Sequence, residues 1–490
     1  MAYIWGDSFD CYAATTDLAL GGYWDSAITG QTFVAGRFAG SQALRMANAT
    51  TTTFIKSSPA NDPVHHFSLA YKQNAALSGS TLGLHFQLSD GATNQCCIVF
   101  RSDGAILLTS ATPGGTVLAT YVGAVTAIST WYQFEIEVVI NNVSGSFKVR
   151  KNGSATDDHS TTGINTRPGT NAYINRLTMS ASGNVNDQNI DDFLWRSDAS
   201  SVPWVGDIRC QMRMPVGNAS VQFAVSPTSA LQVVTGGTTG IGAIANGTVH
   251  AMPFVASSNG MLTGVTLSLA SAATAHIKMA LYDATRSILL ATSSEITNPG
   301  VGVVNVTFPT PFAIVKGASY FLAYNQDASV SYNGTAQGAV ASGTIAYASW
   351  PPASIATLGT GAVATSAMTA TYILTNYHVV NETLQDALTS YVYDATPGHA
   401  DLYTIAPIAA PPVSTVAVTV RALMQKSDAG TRVVTVQLKS GGTTVASPSN
   451  VLATSTWGWV YRTDTTDPNT SAAWTASGVA AAQIGPAVVS

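Results

Sequence analysis

Charge is what this sequence most lacks. Asp, Glu, Lys and Arg make up 10% of the 490 residues, against about 25% in an ordinary soluble domain. Its surface must therefore be covered by Ser, Thr, Asn, Gln and Gly. No basic run exceeds two residues, and the net charge is −5. A nucleic-acid footprint needs clustered Lys and Arg, so binding or packaging of a genome is excluded. No apolar run reaches the 18 residues of a membrane-spanning helix. The opening MAYIWGDSFDCY has neither a basic segment nor a long apolar one, so no export signal is expected there. Disorder is excluded by 46% apolar content and by 15 Phe, 18 Tyr and 9 Trp.

The usual marks of catalysis are missing too. There is no Gly-x-Ser-x-Gly elbow, no Walker loop, and no Gly-x-Gly-x-x-Gly between a strand and a helix. The glycines of TGGTTGIG (235–242) read as a linker, because no helix follows to hold a phosphate. The eight histidines (65, 66, 85, 159, 250, 276, 378 and 399) never fall at His-x-x-x-His spacing. Cys11, Cys96, Cys97 and Cys210 form no metal-type pairs of spacings. Cys96 and Cys97 are neighbours in a strand pattern and should face opposite ways. Buried free thiols are expected, with a Cys11–Cys210 disulfide as the alternative.

What is present is strand. IVFRSDGAILLTS, WYQFEIEVVI, GSFKVRKNG, HIKMALYD, AVTVRALM and RVVTVQLKSGG alternate or run apolar, rich in β-branched and aromatic residues. Turn dipeptides punctuate them: Asp103-Gly104, Asn152-Gly153, Asn259-Gly260, Asn333-Gly334 and Gly441-Gly442. The single helix candidate is the Ala-rich segment 472–483. The expected fold class is all-β, with several β-sandwich or jelly-roll domains, one inserted into another.

Residues 1–202 open on IWGDSFDCY and close on IDDFLWRSD, and these aromatic, acidic ends should pair. The Trp-led strand WYQFEIEVVI, followed by a hairpin ending Lys151-Asn152-Gly153, resembles the laminin-G-like and concanavalin-A-like jelly rolls. The stretch VPWVGDIRCQMRMPVGNASVQFAVSP resembles the opening of a β-sandwich found at the end of many tail and neck appendage proteins of tailed bacteriophages. Its expected continuation starts about 140 residues later, at NYHVVNETLQDALTSYVYDATPGHADLYTIAPI, and runs through AVTVRALMQKSDAGTRVVTVQLKSGGTTV to the last residue. Residues 426–442 carry this resemblance most specifically. It implies a discontinuous domain, 203–234 plus 373–490, interrupted by an inserted jelly-roll module, 235–372. The insert resembles appended modules of phage and secreted proteins. Small-residue linkers bound it, as exposed insertion points require.

Four sets of residues are candidates for chemistry. Asp157, Asp158 and His159, and separately Asp187, Asp191 and Asp192, form acidic runs. They read as solvated turns, with a calcium site at a loop rim as the alternative. Glu135 and Glu137 alternate in one strand, about 7 Å apart on one face, a spacing compatible with glycosidase carboxylates. Trp131 and Trp195 are expected to pack the first core. Trp457 and Trp459 share a face, and with Tyr320, Tyr324 and Tyr332 of the insert they are candidate glycan-stacking rings; core packing is the competing reading. No catalytic, metal or cofactor residue is assigned.

The resemblance implies a non-enzymatic structural component of a tailed-phage virion, an exposed appendage of the collar, neck, tail or head surface. Its implied partners are other phage structural proteins, further copies of itself, and host surface polysaccharide. A glycan-binding adhesin is the second reading. A polysaccharide-degrading enzyme that depends on Glu135 is the third.

Overall fold

A computed structural model describes residues 3–12, 14–19, 22–26, 31–46, 53–181, 187–226, 229–237, 239–257, 259–381, 391–407 and 415–490. The chain is almost entirely β-strand. It separates into two compact units. The first takes in Met1–Gln222 and Ala395–Ser490, the second Phe223–Asn381 and Ala387–Asp394.

Two sheets form the N-terminal sandwich of the first unit. The larger runs, strand by strand, through His159–Ile164, Gly145–Lys151, Trp131–Val139, Val64–Gln73, Gln188–Asp198, Gln42–Met46 and Thr32–Ala35. The smaller holds six strands, including Leu82–Ser89 and Asn94–Arg101. The aromatic ends of this segment do pair. Tyr3–Asp7 lies antiparallel to Gln188–Asp198, with Trp5 opposite Trp195.

Alternation assigns each side chain a face. Phe67, Leu69, Tyr71, Phe134, Ile136, Val138 and Trp195 point into one core. Their neighbours His66, Ser68, Glu135, Glu137 and Arg196 therefore point out of the sandwich. His65 and His66 divide in the same way. His65 faces the core against Trp195, where burial drives its pKa down to about 3. Cys96 and Cys97 also divide, into two different clusters, and all four cysteines are free thiols. Trp195 is fully buried, but Trp131 is not: it sits half-buried at a strand start, with the Lys72 ammonium 4.8 Å from its ring centre.

In the C-terminal part of this unit, Pro215–Ser220 pairs with Leu402–Ile405, in one sheet with Gln483–Val488, Arg432–Ser440 and Thr443–Ala446. Sequence-distant segments thus meet in a single sheet. A two-stranded ribbon, Val418–Met424 with Gly458–Asp464, completes it. One face of the ribbon gives Val420 and Val460 to the local core. The other gives Trp459 and Tyr461 to the N-terminal core.

The second unit is a sandwich of its own. One sheet carries Ser229–Thr235, Met368–Ile373, Gly260–Leu269 and Gly302–Ile314. The other carries Thr248–Val255, His276–Asp283, Ser319–Gln326 and Val330–Thr344. Ser229–Thr235 pairs here with Met368–Ile373. The sequence placed nearly all of Ser229–Thr235 in the interrupted domain, up to residue 234, and nearly all of Met368–Ile373 in the insert, up to residue 372; their β-ladder ties both strands to this unit.

The turn dipeptides divide instructively. Asn152 and Gly153 both take positive φ, 52° and 73°, at the centre of a tight turn that the Ser154 amide closes on the Lys151 carbonyl. Asn333-Gly334 is not a turn but lies within the long strand Val330–Thr344. A Cβ on Gly334 would run into the Thr365 carbonyl of the adjacent strand, so close backbone approach is the reason for this glycine. The C-terminal helix is real but short, Ala476–Ala481, with the Thr475 hydroxyl accepting from the Gly478 amide.

Candidate functional site

Pairing in the large sheet of the first unit sets four polar side chains in a row on its outward face. Lys148 lies opposite Glu137, Glu137 opposite His66, and His66 opposite Arg196. The next row places Arg150 opposite Glu135 and Glu135 opposite Ser68. These residues touch. Lys148 Nζ is 2.9 Å from Glu137, His66 Nε2 is 2.8 Å from Glu137, and Arg196 is 3.1 Å from Glu135.

This face is covered by the segment 202–210, which leaves the sandwich after its last strand. The Val205 and Gly206 amides donate to the two oxygens of Glu135, at 2.8 and 3.0 Å. The Trp204 ring lies 4.7 Å from the His66 ring and 4.2 Å from the Arg150 guanidinium. Arg37 grips Asp207 with two hydrogen bonds of 2.5 Å. The Cys210 amide donates to Asp192 at 2.7 Å.

Asp191 and Asp192 sit at a bulge. Gln188–Ile190 pair with the 42–46 strand, while Phe193–Ser197 pair with the 3–7 strand. The switch falls on Asp191 and Asp192, and Asp192 has φ of 51°. Asp191 accepts from the Arg37 amide and the Ser41 hydroxyl. Burial, then the neighbouring Asp191 charge, pushes the Asp192 carboxyl well above the ordinary range. Its Oδ2 is 3.8 Å from Arg37 and has no hydrogen-bond partner among the described residues.

The glycosidase geometry fails on these facts. An acid catalyst needs a raised pKa and an approach for the sugar. Burial pushes Glu137 up, but His66 and Lys148 outweigh it and hold the carboxyl below its ordinary value. Glu135 is 1% exposed and spent on two amides and Arg196. The strand spacing was legible in the sequence. The covering segment was not, because residues 202–210 are some 70 positions from Glu135.

The acidic runs are also spoken for. Asp157 pairs with Arg150, Asp158 accepts from the Lys151 amide, and Asp187 pairs with Arg45. Among the described residues no group of three or more His, Cys, Asp or Glu is placed to hold a metal ion.

The five candidate stacking rings are scattered. Tyr324 and Tyr332 are 0% exposed, 5.1 Å apart in the core of the second unit. Tyr324 bonds Ser366 at 2.5 Å and Tyr332 bonds Gln326 at 3.2 Å. A ring with no exposed face cannot stack on a sugar, so these two are corrected to core residues. Tyr320 is 8% exposed, packed on Phe254, its hydroxyl accepting from the Val315 amide. Trp459 lies against Tyr23 and Arg421. Trp457 is half-buried just outside the ribbon strand.

Sequence reasoning missed Arg421. Its guanidinium enters the N-terminal sandwich 4.5 Å from the Tyr23 ring centre, contacts Cys11 Sγ and donates to the Tyr12 hydroxyl. Asp7, 4.0 Å away, accepts from Tyr12 and the Trp24 indole. Burial raises the Cys11 thiol to about 11. A lone arginine in a strand pattern, VTVRALM, was the available signal.

No family model and no curated protein matches this chain. Solved structures do. The calcium-bound exoplasmic/lumenal domain of VIP36 aligns at 9% identity over 39% of this chain and 90% of its own, TM-score 0.27. Lectin II from Ulex europaeus aligns at 9% identity over 40% and 98%, TM-score 0.27. A conserved carbohydrate esterase from Shiga toxin-encoding bacteriophage phi24B aligns at 12% identity over 40% and 100%, TM-score 0.28. At such scores the likeness assigns neither activity nor ligand.

Proposed function

We propose that this chain is a non-catalytic structural component of a tailed-phage virion, an exposed appendage of the collar, neck, tail or head surface. One observation carries the non-catalytic part. The carboxylates best spaced for chemistry, Glu135 and Glu137, are locked in an ionic lattice that fastens the segment 202–210 to its sheet. Such a lattice fixes geometry and leaves no proton donor facing a substrate. The phage assignment rests on the resemblance of 203–232 and 374–490 to appendage domains, and on a surface of few charges. Its partners would be other virion proteins and further copies of the chain.

The test is gold-labelled antibody against the chain on intact particles, read by negative-stain microscopy. Label at regular positions on head, neck or tail is the expected result. Unlabelled particles with free protein in the lysate would overturn it. Cleavage is tested separately: purified chain should release no reducing sugar from host polysaccharide.

A further inference from the structure

Between Phe223 and Asn381 the chain has six charged residues: Lys278, Asp283, Arg286, Glu295, Lys316 and Asp327. Three of them meet at one spot. His276 and Lys278 alternate on one strand, so they share the face opposite Ile277 and Met279, which enter the core. His276 opposes Thr297, which places Glu295 just ahead of the pairing. Asp327 follows the strand Ser319–Gln326, whose Gln326 and Asn325 oppose Ile277 and Lys278.

A fifth residue closes the group. Tyr347 begins a 3-10 turn, and its hydroxyl donates to Glu295 Oε2 at 2.8 Å. The Lys278 ammonium is 3.0 Å from the same oxygen and 5.2 Å from the Tyr347 ring centre. Asp327 accepts from the His276 amide at 2.6 Å and contacts its Nδ1 at 2.5 Å. The turn is held in place. The Trp350 indole donates to the Lys278 carbonyl, Tyr282 to the Pro352 carbonyl, and the Ile345 amide to the Gly247 carbonyl.

Stability does not account for this gathering. The four ionisable side chains are 32 to 41% exposed, and ion pairs so exposed are worth about 0–1 kcal/mol. Their bonding capacity is also unfilled. Both bonds to Glu295 use Oε2, and Oε1 has no partner among the described residues. Lys278 has three N–H donors.

The charges decide the ligand class. Lys278 is neutralised by Glu295, so a polyanion gains no net attraction. The same ammonium repels a metal cation from Glu295. A neutral polyol suits both halves: its hydroxyls donate to carboxylates and accept from ammonium and imidazole, and its C–H face lies against a phenol ring. We infer that His276, Lys278, Glu295, Asp327 and Tyr347 form a binding site for a neutral hexopyranose oligosaccharide on the second unit. The site stands whether or not the chain belongs to a virion.

The test uses the full chain on an array of glucose-, galactose-, mannose- and N-acetylglucosamine-based oligosaccharides. Binding to at least one class is expected. Glu295→Gln and Asp327→Asn, which keep side-chain volume, should each weaken it about tenfold, the loss of one charge-assisted hydrogen bond. Tyr347→Ala should weaken it at least as much, and Lys316→Ala should leave it unchanged. An array on which the unmodified chain binds nothing overturns the inference. So does binding that survives both Glu295→Gln and Tyr347→Ala. Neither result bears on particle labelling, so the two readings fail separately.

Discussion

In the first unit Glu135, His66, Arg196, Asp192 and Arg421 lie at or beneath the surface against one another, nearby rings or backbone amides, and the atoms left without a hydrogen bond there, Asp192 Oδ2, His66 Nδ1 and Arg196 Nε, are shut away from water. In the second unit Lys278, Glu295 and Asp327 stay one-third exposed, with donors and acceptors to spare. The same residue types thus play opposite parts. A buried charge costs several kcal/mol unless partners surround it, so it fixes whatever it touches. An exposed charge holds little in place, but it can exchange water for a ligand.

The largest way to break this contrast is Arg421→Ala. It should destabilise the first unit by about 3–5 kcal/mol, the usual cost of leaving one member of a buried charged group without its partner. Urea unfolding followed by Trp fluorescence should show the first-unit transition moving while that of the second unit stays. If both move together, the units do not unfold independently.

Glu135→Ala comes next. It strips the Val205 and Gly206 amides of their acceptor and leaves Arg196 without its carboxylate. A loss of about 2–3 kcal/mol is expected. Amide exchange should quicken across 203–207 more than in the strands beneath. Unchanged protection there would mean that Trp204 and Asp207 suffice to hold the segment.

Asp192→Asn sharpens the contrast through pH. The Asp192 carboxyl binds its proton more tightly folded than unfolded, because burial and Asp191 disfavour its charge. Its ionisation therefore subtracts stability, beginning as the pH passes the ordinary aspartate value of 3.8 and growing until the folded group itself ionises. Asparagine keeps the acceptor for the Cys210 amide and removes the charge. The variant should gain about 1 kcal/mol over the natural chain at pH 8 and almost nothing at pH 4. Thermal melts at the two pH values check this, and an equal shift at both would refute the charge argument.

The smallest effect is expected at Trp457. Replacement by Ala should change stability by under about 0.5 kcal/mol and leave oligosaccharide binding unaltered. The paired Trp459→Ala should cost several times more, since its ring packs on Tyr23 and Arg421. Equal effects would return both rings to one exposed face.

Much of the fold was legible because strand period and turn chemistry are local. The pairing of 3–7 with 188–198, the opposite facing of His65 and His66, and the shared face of Glu135 and Glu137 all follow from alternation. The candidate rings were not legible. A tyrosine in SYFLAYNQ reads alike whether its face meets solvent or a second sheet, and here Tyr324 met Tyr332 and Ser366. Nor did any spacing join Glu295 to Tyr347, which are 52 positions apart.

The sequence by itself determined the all-β class, the low charge and most strand positions. Those follow from residue periodicity and composition, properties of short stretches; the joining of 215–220 with 402–405 was implied only by the resemblance to an appendage domain. Only the tertiary structure decided which polar residues are buried clamps and which are exposed. That depends on what covers each sheet face, whether segment 202–210 over Glu135 or a 3-10 turn beside Lys278. Such covering is set by chain segments tens of residues away, held by hydrogen bonds that no local pattern records.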